Sequence, residues 1–211
     1  MNVYEENKII EKAVDVIKNR GVVILPADTV YGIFGGLFFP NAVERVYKIK
    51  GRERHKPFGI CCTNTNVQDL SNLNPTARIL MDHFWPGPLS IILNKKKVIP
   101  KLFTDNPTVL LLSPKNRILS EVVKRSSIPI FSTTCNFSGD EEITESRLLH
   151  PFKNLVDFIG TVDNFPFHLK VSTIVNCVQQ PPKVVRCGAI EIQQIRNIIP
   201  TVEKDLDLLI R

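Results

Sequence analysis

Three clusters of polar residues in this chain of 211 residues have the types and spacing that phosphate chemistry requires. Residues 28–32 follow a short apolar run, residues 50–56 alternate lysine and arginine with other residues, and residues 132–139 combine hydroxyls with an amide. A guanidinium can bind two phosphate oxygens, and hydroxyl, amide and backbone donors can surround the others. Each cluster follows or adjoins a predicted strand end, so a shared cleft for a nucleoside triphosphate is expected.

The basic cluster consists of Lys50, Arg52, Arg54 and Lys56. Successive side chains of an extended segment point to opposite sides, so all four would point to one side. Pro57 favours an extended conformation for Lys56. We therefore expect an extended basic row, with a solvated charged face as the alternative.

Two other kinds of site find no support in the motifs. The Gly-rich loop with Lys-Ser/Thr of P-loop ATPases is absent, and Cys135 has no histidine nearby in sequence. The five cysteines lack the paired spacing of a zinc site and are expected to be buried free thiols. The histidines (His55, His83, His150 and His168) are scattered, so no structural metal is predicted. For residues 132–139 an ordinary Ser/Thr turn is the alternative interpretation.

Hydrophobic periodicity predicts an alternation of strands and helices, which is typical of an α/β sheet. Strands are predicted at 22–25, 58–62, 89–93, 109–112, 128–131, 155–160, 172–176 and 183–185. Helices are predicted at 5–20, 75–84, 118–124 and 190–199. A further helix is predicted to begin after Asn41, which would cap it.

Composition indicates one soluble domain with an anionic partner. The chain is 43% hydrophobic and has a net charge of +6. Its pI near 9.1 suits a nucleotide, RNA or an acidic protein face. No apolar run approaches the roughly 20 residues of a membrane span. Residues 1–6 do not resemble a signal peptide, so a cytoplasmic location and no membrane contact are expected.

Several short motifs follow one another along the chain: PADTVYG at 26–32, KGR at 50–52, KP at 56–57, WPGPLS at 85–90, STTCNFSG at 132–139, VSTIVN at 171–176 and VRCG at 185–188. In order and spacing they resemble the motifs of the YrdC-like family of threonylcarbamoyl-AMP synthases. The resemblance implies a single YrdC-like domain over residues 1–211, with a twisted mixed, partly parallel open sheet flanked by helices.

The resemblance also implies a nucleotidyltransferase reaction. L-threonine, bicarbonate and ATP would give threonylcarbamoyl-AMP and diphosphate, with magnesium bound through the phosphates. The product would serve threonylcarbamoyl modification of tRNA adenosine, so tRNA or structured RNA and a tRNA threonylcarbamoyl transferase are possible partners. Such chemistry needs mainly positioning and charge neutralisation.

Site residues follow from the matched motifs. Lys50 and Arg52 are the expected catalytic residues, with Lys50 neutralising charge near the phosphates. The resemblance further implies ATP contacts by Arg52, Lys56, Thr108, Thr134, Asn136 and Arg186, and threonine contacts by Thr29, Ser132 and Ser172.

Four positions depart from the family pattern. Ala27 and Ser90 replace threonines, Cys61 replaces a histidine, and Leu112 replaces the arginine that pairs with the threonine carboxylate. A buried carboxylate without a cation is costly. Either another residue supplies the charge, or the acyl acceptor differs, or the chain is a paralogue of reduced activity. Binding of double-stranded or structured RNA is the alternative function. Carbamoyl transfer is a third possibility.

Overall fold

The computed structural model describes residues 3–63, 65–162, 165–167 and 170–205. Its helices are α1 (Val3–Lys18), α2 (Pro40–Lys50), α3 (Val67–Leu70), α4 (Pro75–Phe84), α5 (Arg117–Ser126), a 3-10 helix (Ser146–Phe152) and α6 (Ile192–Arg196). Its strands are β1 (Val22–Pro26), β2 (Tyr31–Gly36), β3 (Gly59–Cys61), β4 (Leu89–Asn94), β5 (Thr108–Leu112), β6 (Ile130–Thr134), β7 (Phe158–Ile159), β8 (Thr173–Asn176), β9 (Lys183–Arg186) and β10 (Glu203–Lys204).

The strands form one open mixed sheet in the order β10-β9-β8-β4-β5-β3-β6-β2-β1-β7. Strand β4 pairs parallel with β8 and antiparallel with β5, while β3 pairs parallel with β5 and antiparallel with β6. Helices α1 and α5 pack on one face of the sheet, and α2 and α4 pack on the other. This architecture confirms the predicted mixed, partly parallel α/β sheet.

Strand β2, like α3, the 3-10 helix and β10, was not predicted from the sequence. Tyr31 and Gly32 do not form a loop at a strand end, because Tyr31 pairs with Pro26 and the two strands make an antiparallel hairpin. The run of glycines conceals the strand pattern, but it serves packing: a Cβ on Gly32 would lie 2.6 Å from the Phe34 ring, and one on Gly35 would lie 2.7 Å from the Phe131 ring.

Several predicted boundaries are wrong. Asn41 does not cap α2, since Phe39 occupies the N-cap position without a side-chain hydrogen bond and Pro40 supplies the fixed φ of the first turn. The strand predicted at 155–160 pairs only through β7, and the helix predicted at 190–199 is shortened to α6. Residues 158 and 159 are the part of the first segment that pairs with β1, and Glu191 caps the second segment so that the helix begins at Ile192. The apolar pattern alone does not give these boundaries.

The cysteines are free thiols in the structure. Cys61, Cys62, Cys135 and Cys177 are buried as expected, whereas Cys187, the first residue after β9, is exposed. His168 lies outside the described residues. Within the described part of the chain, no helix combines the length and apolar character needed to cross a membrane.

Candidate active site

A cleft opens on the same face of the sheet as α1 and α5. Ile130 belongs to the apolar cluster beneath these helices. Ser132 and Thr134 follow it at the two-residue spacing that keeps side chains on one face. The cleft is partly open to solvent, and its lining mixes polar and apolar residues, as is typical of small-molecule sites.

The cleft brings together most of the predicted site residues. Those that line it are Thr29, Arg52, Ser132, Thr134, Ser172 and Arg186. Those outside the lining are Lys50, Lys56, Thr108 and Asn136. Thr108 is the first residue of β5 and lies on the same face as the lining residues Leu110 and Leu112, at the end of the strand away from Leu112.

Lys50 lies behind the cleft rather than in it. Its side chain is 2% exposed, and its ammonium donates hydrogen bonds to the Thr134 carbonyl at 2.7 Å, the Asn136 carbonyl at 2.9 Å and Asn136 Oδ1 at 2.6 Å. These bonds use all three donors of the ammonium group. Burial, followed by the charge of Arg52, lowers the pKa of Lys50 to about 8. The predicted phosphate contact of Lys50 is not seen and stays a prediction.

The turn after β6 is tied to the end of α2 by these and further hydrogen bonds. Thr134 Oγ1 donates to Asn136 Oδ1 at 2.8 Å, and Asn136 Nδ2 donates to the Asp140 carbonyl at 2.8 Å. The Ser138 amide donates to the Lys50 carbonyl at 2.8 Å. Asn136 therefore holds the turn that presents Thr134 to the cleft.

The expected extended basic row is wrong. Lys50 is the last residue of α2, and Gly51 ends the helix in the left-handed conformation, with φ 61°. Arg54 forms an ion pair with Glu44 and stacks over the Tyr47 ring, and Lys56 forms an ion pair with Glu53 at 2.9 Å. The helix includes Lys50 and the segment after it is not extended, so these side chains diverge.

Arg52 is the member of this basic segment that reaches the cleft. Its Nε donates to the Lys56 carbonyl at 2.6 Å, which holds the guanidinium beside Phe58, 5.9 Å from the ring centroid. Burial lowers the pKa of Arg52, and Tyr47 opposes that shift. An arginine nonetheless stays protonated, so this wall of the cleft carries a fixed positive charge.

Arg186 supplies the second positive charge of the cleft. Its Nη2 donates to Ser172 Oγ at 2.9 Å and its Nε donates to the Ser172 carbonyl at 3.0 Å. Ser172 Oγ lies 2.9 Å from Ser90 Oγ, so a chain of hydrogen bonds runs from β9 through the residue before β8 to β4. Ser90, noted only as a departure from the family pattern, is thus part of the polar wall.

Asp28 has a structural role that sequence reasoning did not identify. Its carboxylate accepts hydrogen bonds from the Asn116 amide at 2.6 Å and the Lys115 amide at 2.9 Å, and also contacts the Asn116 side chain. Asn116 in turn caps α5 by accepting from the Leu119 amide at 2.9 Å. Asp28 therefore fixes the β1–β2 hairpin against the start of α5.

The departures at Leu112, Ser90 and Cys61 adjoin one another in the sheet. Leu112 pairs with Ser90 on β4 and with Cys61 on β3. It packs against the cluster beneath α1 and α5, and a Cβ on Gly59 would lie 2.9 Å from Leu112 Cδ2. Burial raises the pKa of the Cys61 thiol to about 12, opposed in part by a hydrogen bond with Ser132. None of these three residues supplies a cation, and the Asp28 carboxylate acts on Cys61 from nearby.

The fold and the cleft lined by Arg52 and Arg186 define an α/β protein with a positively charged cleft. A family model named Sua5_yciO_yrdC, with the description telomere recombination, matches residues 15–188. The chain belongs to this Sua5/YciO/YrdC family, as the motifs predicted.

Relatives extend over nearly the whole chain. A protein of Methanocaldococcus jannaschii named putative threonylcarbamoyl-AMP synthase is 32% identical over 92% of this chain and 93% of its own length. The threonylcarbamoyl-AMP synthases of Pyrococcus abyssi and Bacillus subtilis are 28% and 29% identical over 89% and 94% of this chain. This chain spans only 56% and 59% of those two proteins.

Solved structures give the same relationship. Sua5 of P. abyssi in complex with L-threonine superposes with a TM-score of 0.87 at 28% identity, covering 95% of this chain and 59% of that protein. YciO of Escherichia coli, at 23% identity and a TM-score of 0.79 over 89% of this chain and 93% of YciO, shares the fold.

Proposed function

We propose that this protein is an L-threonylcarbamoyladenylate synthase, a nucleotidyltransferase. The threonine amine and bicarbonate form a carbamate with loss of water. A carbamate oxygen then attacks the α-phosphorus of ATP, and the bond to diphosphate breaks. Threonylcarbamoyl-AMP and diphosphate leave, and the enzyme forms no covalent intermediate.

One observation carries the proposal: the cleft collects two arginines and four hydroxyl residues at the positions matched to the family's motifs. They are Thr29, Arg52, Ser132, Thr134, Ser172 and Arg186. Relatives bearing the synthase name cover this chain almost end to end, which supports the same activity here. The shared fold alone would not support it, because one fold hosts many functions.

In our proposal the triphosphate of ATP lies against Arg52 and the Thr134 turn. The positively charged guanidinium of Arg52 lines the cleft. Charge-assisted hydrogen bonds are each worth about 1.5–3 kcal/mol. Lys50 and Asn136 act through Thr134, because their polar atoms are bound within the turn. Magnesium would enter on the phosphates, as part of the nucleotide substrate.

Threonine and bicarbonate occupy the opposite part of the cleft in this proposal. Thr29 and the Ser90–Ser172 hydroxyl pair provide donors and acceptors for the amine and hydroxyl of the amino acid. Holding the carbamate beside the α-phosphorus converts an encounter in solution into a reaction between bound groups. The rate then depends mainly on position and charge.

The product is an activated carbamoyl group, which an acceptor must consume. We propose that the acceptor is tRNA adenosine, reached through a tRNA threonylcarbamoyl transferase, with the protein acting in the cytoplasm. The continuous sheet from β10 to β7 supports one catalytic domain for the described residues.

Diphosphate release from ATP, measured with bicarbonate and each amino acid in turn, tests the proposal. Threonine should give the largest rate. Arg52→Met should raise KM for ATP by about tenfold or more, since a charged hydrogen bond is lost. Arg54→Met removes the same charge outside the cleft and serves as the matched control. No threonine-dependent release by the folded wild-type protein would contradict the proposal.

A further inference from the structure

We propose that the Glu142 carboxylate contacts the magnesium ion that ATP brings into the cleft, and that this contact makes nucleotide binding depend on the metal. The assignment rests on the proposed function, in which magnesium enters on the phosphates. It gives the protein one ligand of its own to a metal ion that the matched motifs leave bound through the nucleotide alone.

Hydrogen bonds hold the segment that carries Glu142 against the sheet. The Asn136 side-chain amide donates to the Asp140 carbonyl at 2.8 Å, where the segment begins. The Ile143 amide donates to the Cys135 carbonyl at 3.3 Å, and the Ile143 carbonyl accepts from the first amide of β2 at 2.8 Å. Glu142 is therefore fixed beside the turn that follows β6.

The side chain of Glu142 points toward the cleft. Ile143 is bonded through both its amide and its carbonyl, as in a strand, and its side chain packs against the core cluster under α2 and α4. Neighbouring side chains of an extended segment point to opposite sides, so Glu142 faces the cleft and Glu141 faces away from it. Glu142 is exposed, and its carboxylate has no ion pair or hydrogen bond with the described residues. Its oxygens are thus available to a ligand.

The charges of the site agree with this direction. Burial lowers the pKa of Arg186, the charge of Glu142 opposes this shift, and the charge of Arg52 adds to it. Burial also has the largest effect on the pKa of Lys50, where Arg52 again adds to the shift and Glu142 is among the groups that oppose it. Three cations and one carboxylate therefore surround a common space at the turn after β6.

A triphosphate in this space meets both attraction and repulsion. Arg52 and Arg186 attract its oxygens, whereas the Glu142 carboxylate repels them. Mg²⁺ converts that repulsion into a contact, because it prefers oxygen ligands and is usually held by one or two carboxylates together with substrate phosphates. Among the described residues, no group of three or more His, Cys, Asp or Glu side chains could hold a metal ion. A single carboxylate thus fits a metal that arrives with ATP.

Calorimetric binding of a non-hydrolysable ATP analogue, measured with Mg²⁺ and with EDTA, tests this contact. Glu142→Gln keeps the size of the side chain and removes its charge. The variant should bind the metal-free analogue more tightly than the wild type does, because a repulsion is lost. It should bind the magnesium complex more weakly, because a metal ligand is lost. The ratio of the dissociation constant without Mg²⁺ to that with Mg²⁺ should therefore fall about tenfold or more.

Glu141→Gln removes the same charge from the neighbouring residue, which faces away from the cleft, and should leave this ratio unchanged. A folded Glu142→Gln protein with the ratio of the wild type would overturn the inference. If both of its dissociation constants fell by the same factor, Glu142 would be a counter-charge for Arg52 and Arg186. A wild type that binds the analogue equally well with and without Mg²⁺ would also overturn it. Because no turnover is measured, these outcomes differ from failure of the proposed function, which is absence of threonine-dependent diphosphate release.

Discussion

Lys50 Nζ lies 2.6 Å from Asn136 Oδ1, which joins the last residue of α2 to the turn after β6. The same oxygen accepts a hydrogen bond from Thr134 Oγ1 at 2.8 Å. One buried ammonium thus fixes both the turn and the hydroxyl that enters the cleft. We infer that Lys50 is a positioning residue, which acts on ATP through Thr134.

Removal of this ammonium tests the inferred role. Lys50→Met leaves the Thr134 and Asn136 carbonyls and Asn136 Oδ1 without their donor. Unsatisfied buried groups cost about 1–3 kcal/mol. We expect a melting temperature lower by several degrees and a reduced kcat with ATP. Lys48→Met, an exposed position in the same turn of α2, is the control and should change neither. Equal stability of Lys50→Met and wild type would refute the role.

The titration of Lys50 gives a prediction about pH. Burial lowers its pKa from 10.5 to about 8 in the folded protein, so the unfolded chain binds more protons between pH 8 and 10.5. The contribution of Lys50 to the free energy of unfolding must therefore rise with pH across this window and be constant below it.

Chemical denaturation of wild type and Lys50→Met at several pH values measures that contribution, because methionine does not titrate. The wild-type value minus the variant value should increase from pH 8 to pH 10. A decrease in this range would mean that the three hydrogen bonds that the ammonium donates hold the pKa of Lys50 above its unfolded value and outweigh burial.

Sequence patterns predicted the elements whose signal is local. Continuous apolar runs indicated β1, β4 and β5, and the helical spacing before Trp85 indicated α4 with its bounds. Strand β2 was missed because its glycines make room for the rings of Phe34 and Phe131, a reason that exists only in the assembled sheet. Local pattern cannot reveal such tertiary contacts.

The same limit applies to the site. The matched motifs predicted that Arg52, Thr134 and Arg186 would share a cleft, and all three line it. The direction of each side chain depended on features without a local signal. The helix continues through Lys50, so Arg52 is the member of the expected basic row that reaches the cleft. A bulge at Val185 turns Arg186 toward the same cleft.

Asp28 provides a third prediction, on stability. Asp28→Ala removes the acceptor for the amides of Lys115 and Asn116 at the start of α5. We therefore expect a loss of about 1–2 kcal/mol in the free energy of unfolding. Asp28→Asn keeps one acceptor oxygen and should lose less. Denaturant unfolding measures both, with the exposed Asp105→Ala as control. Full stability of Asp28→Ala would show that water replaces the carboxylate.

Gly188 lies against the segment that carries Ser172, and this contact leads to the last prediction. A Cβ at Gly188 would lie 2.2 Å from the Val171 carbonyl oxygen and 2.6 Å from the Ser172 carbonyl carbon. These are backbone atoms, so Gly188→Ala must displace the segment or the loop after Arg186.

Displacement at Gly188 should separate the Arg186 guanidinium from Ser172, which it contacts at 2.9 Å. Gly188→Ala should therefore raise KM for threonine and KM for ATP severalfold each, because Ser172 is expected at threonine and Arg186 at ATP, and it should lower the melting temperature by a few degrees. Steady-state kinetics of diphosphate release measures the two constants. Cys187→Ala, which shortens an exposed neighbouring side chain, should leave both unchanged. A folded Gly188→Ala protein whose two KM values equal those of the wild type would contradict the expected roles of Arg186 and Ser172 in the cleft.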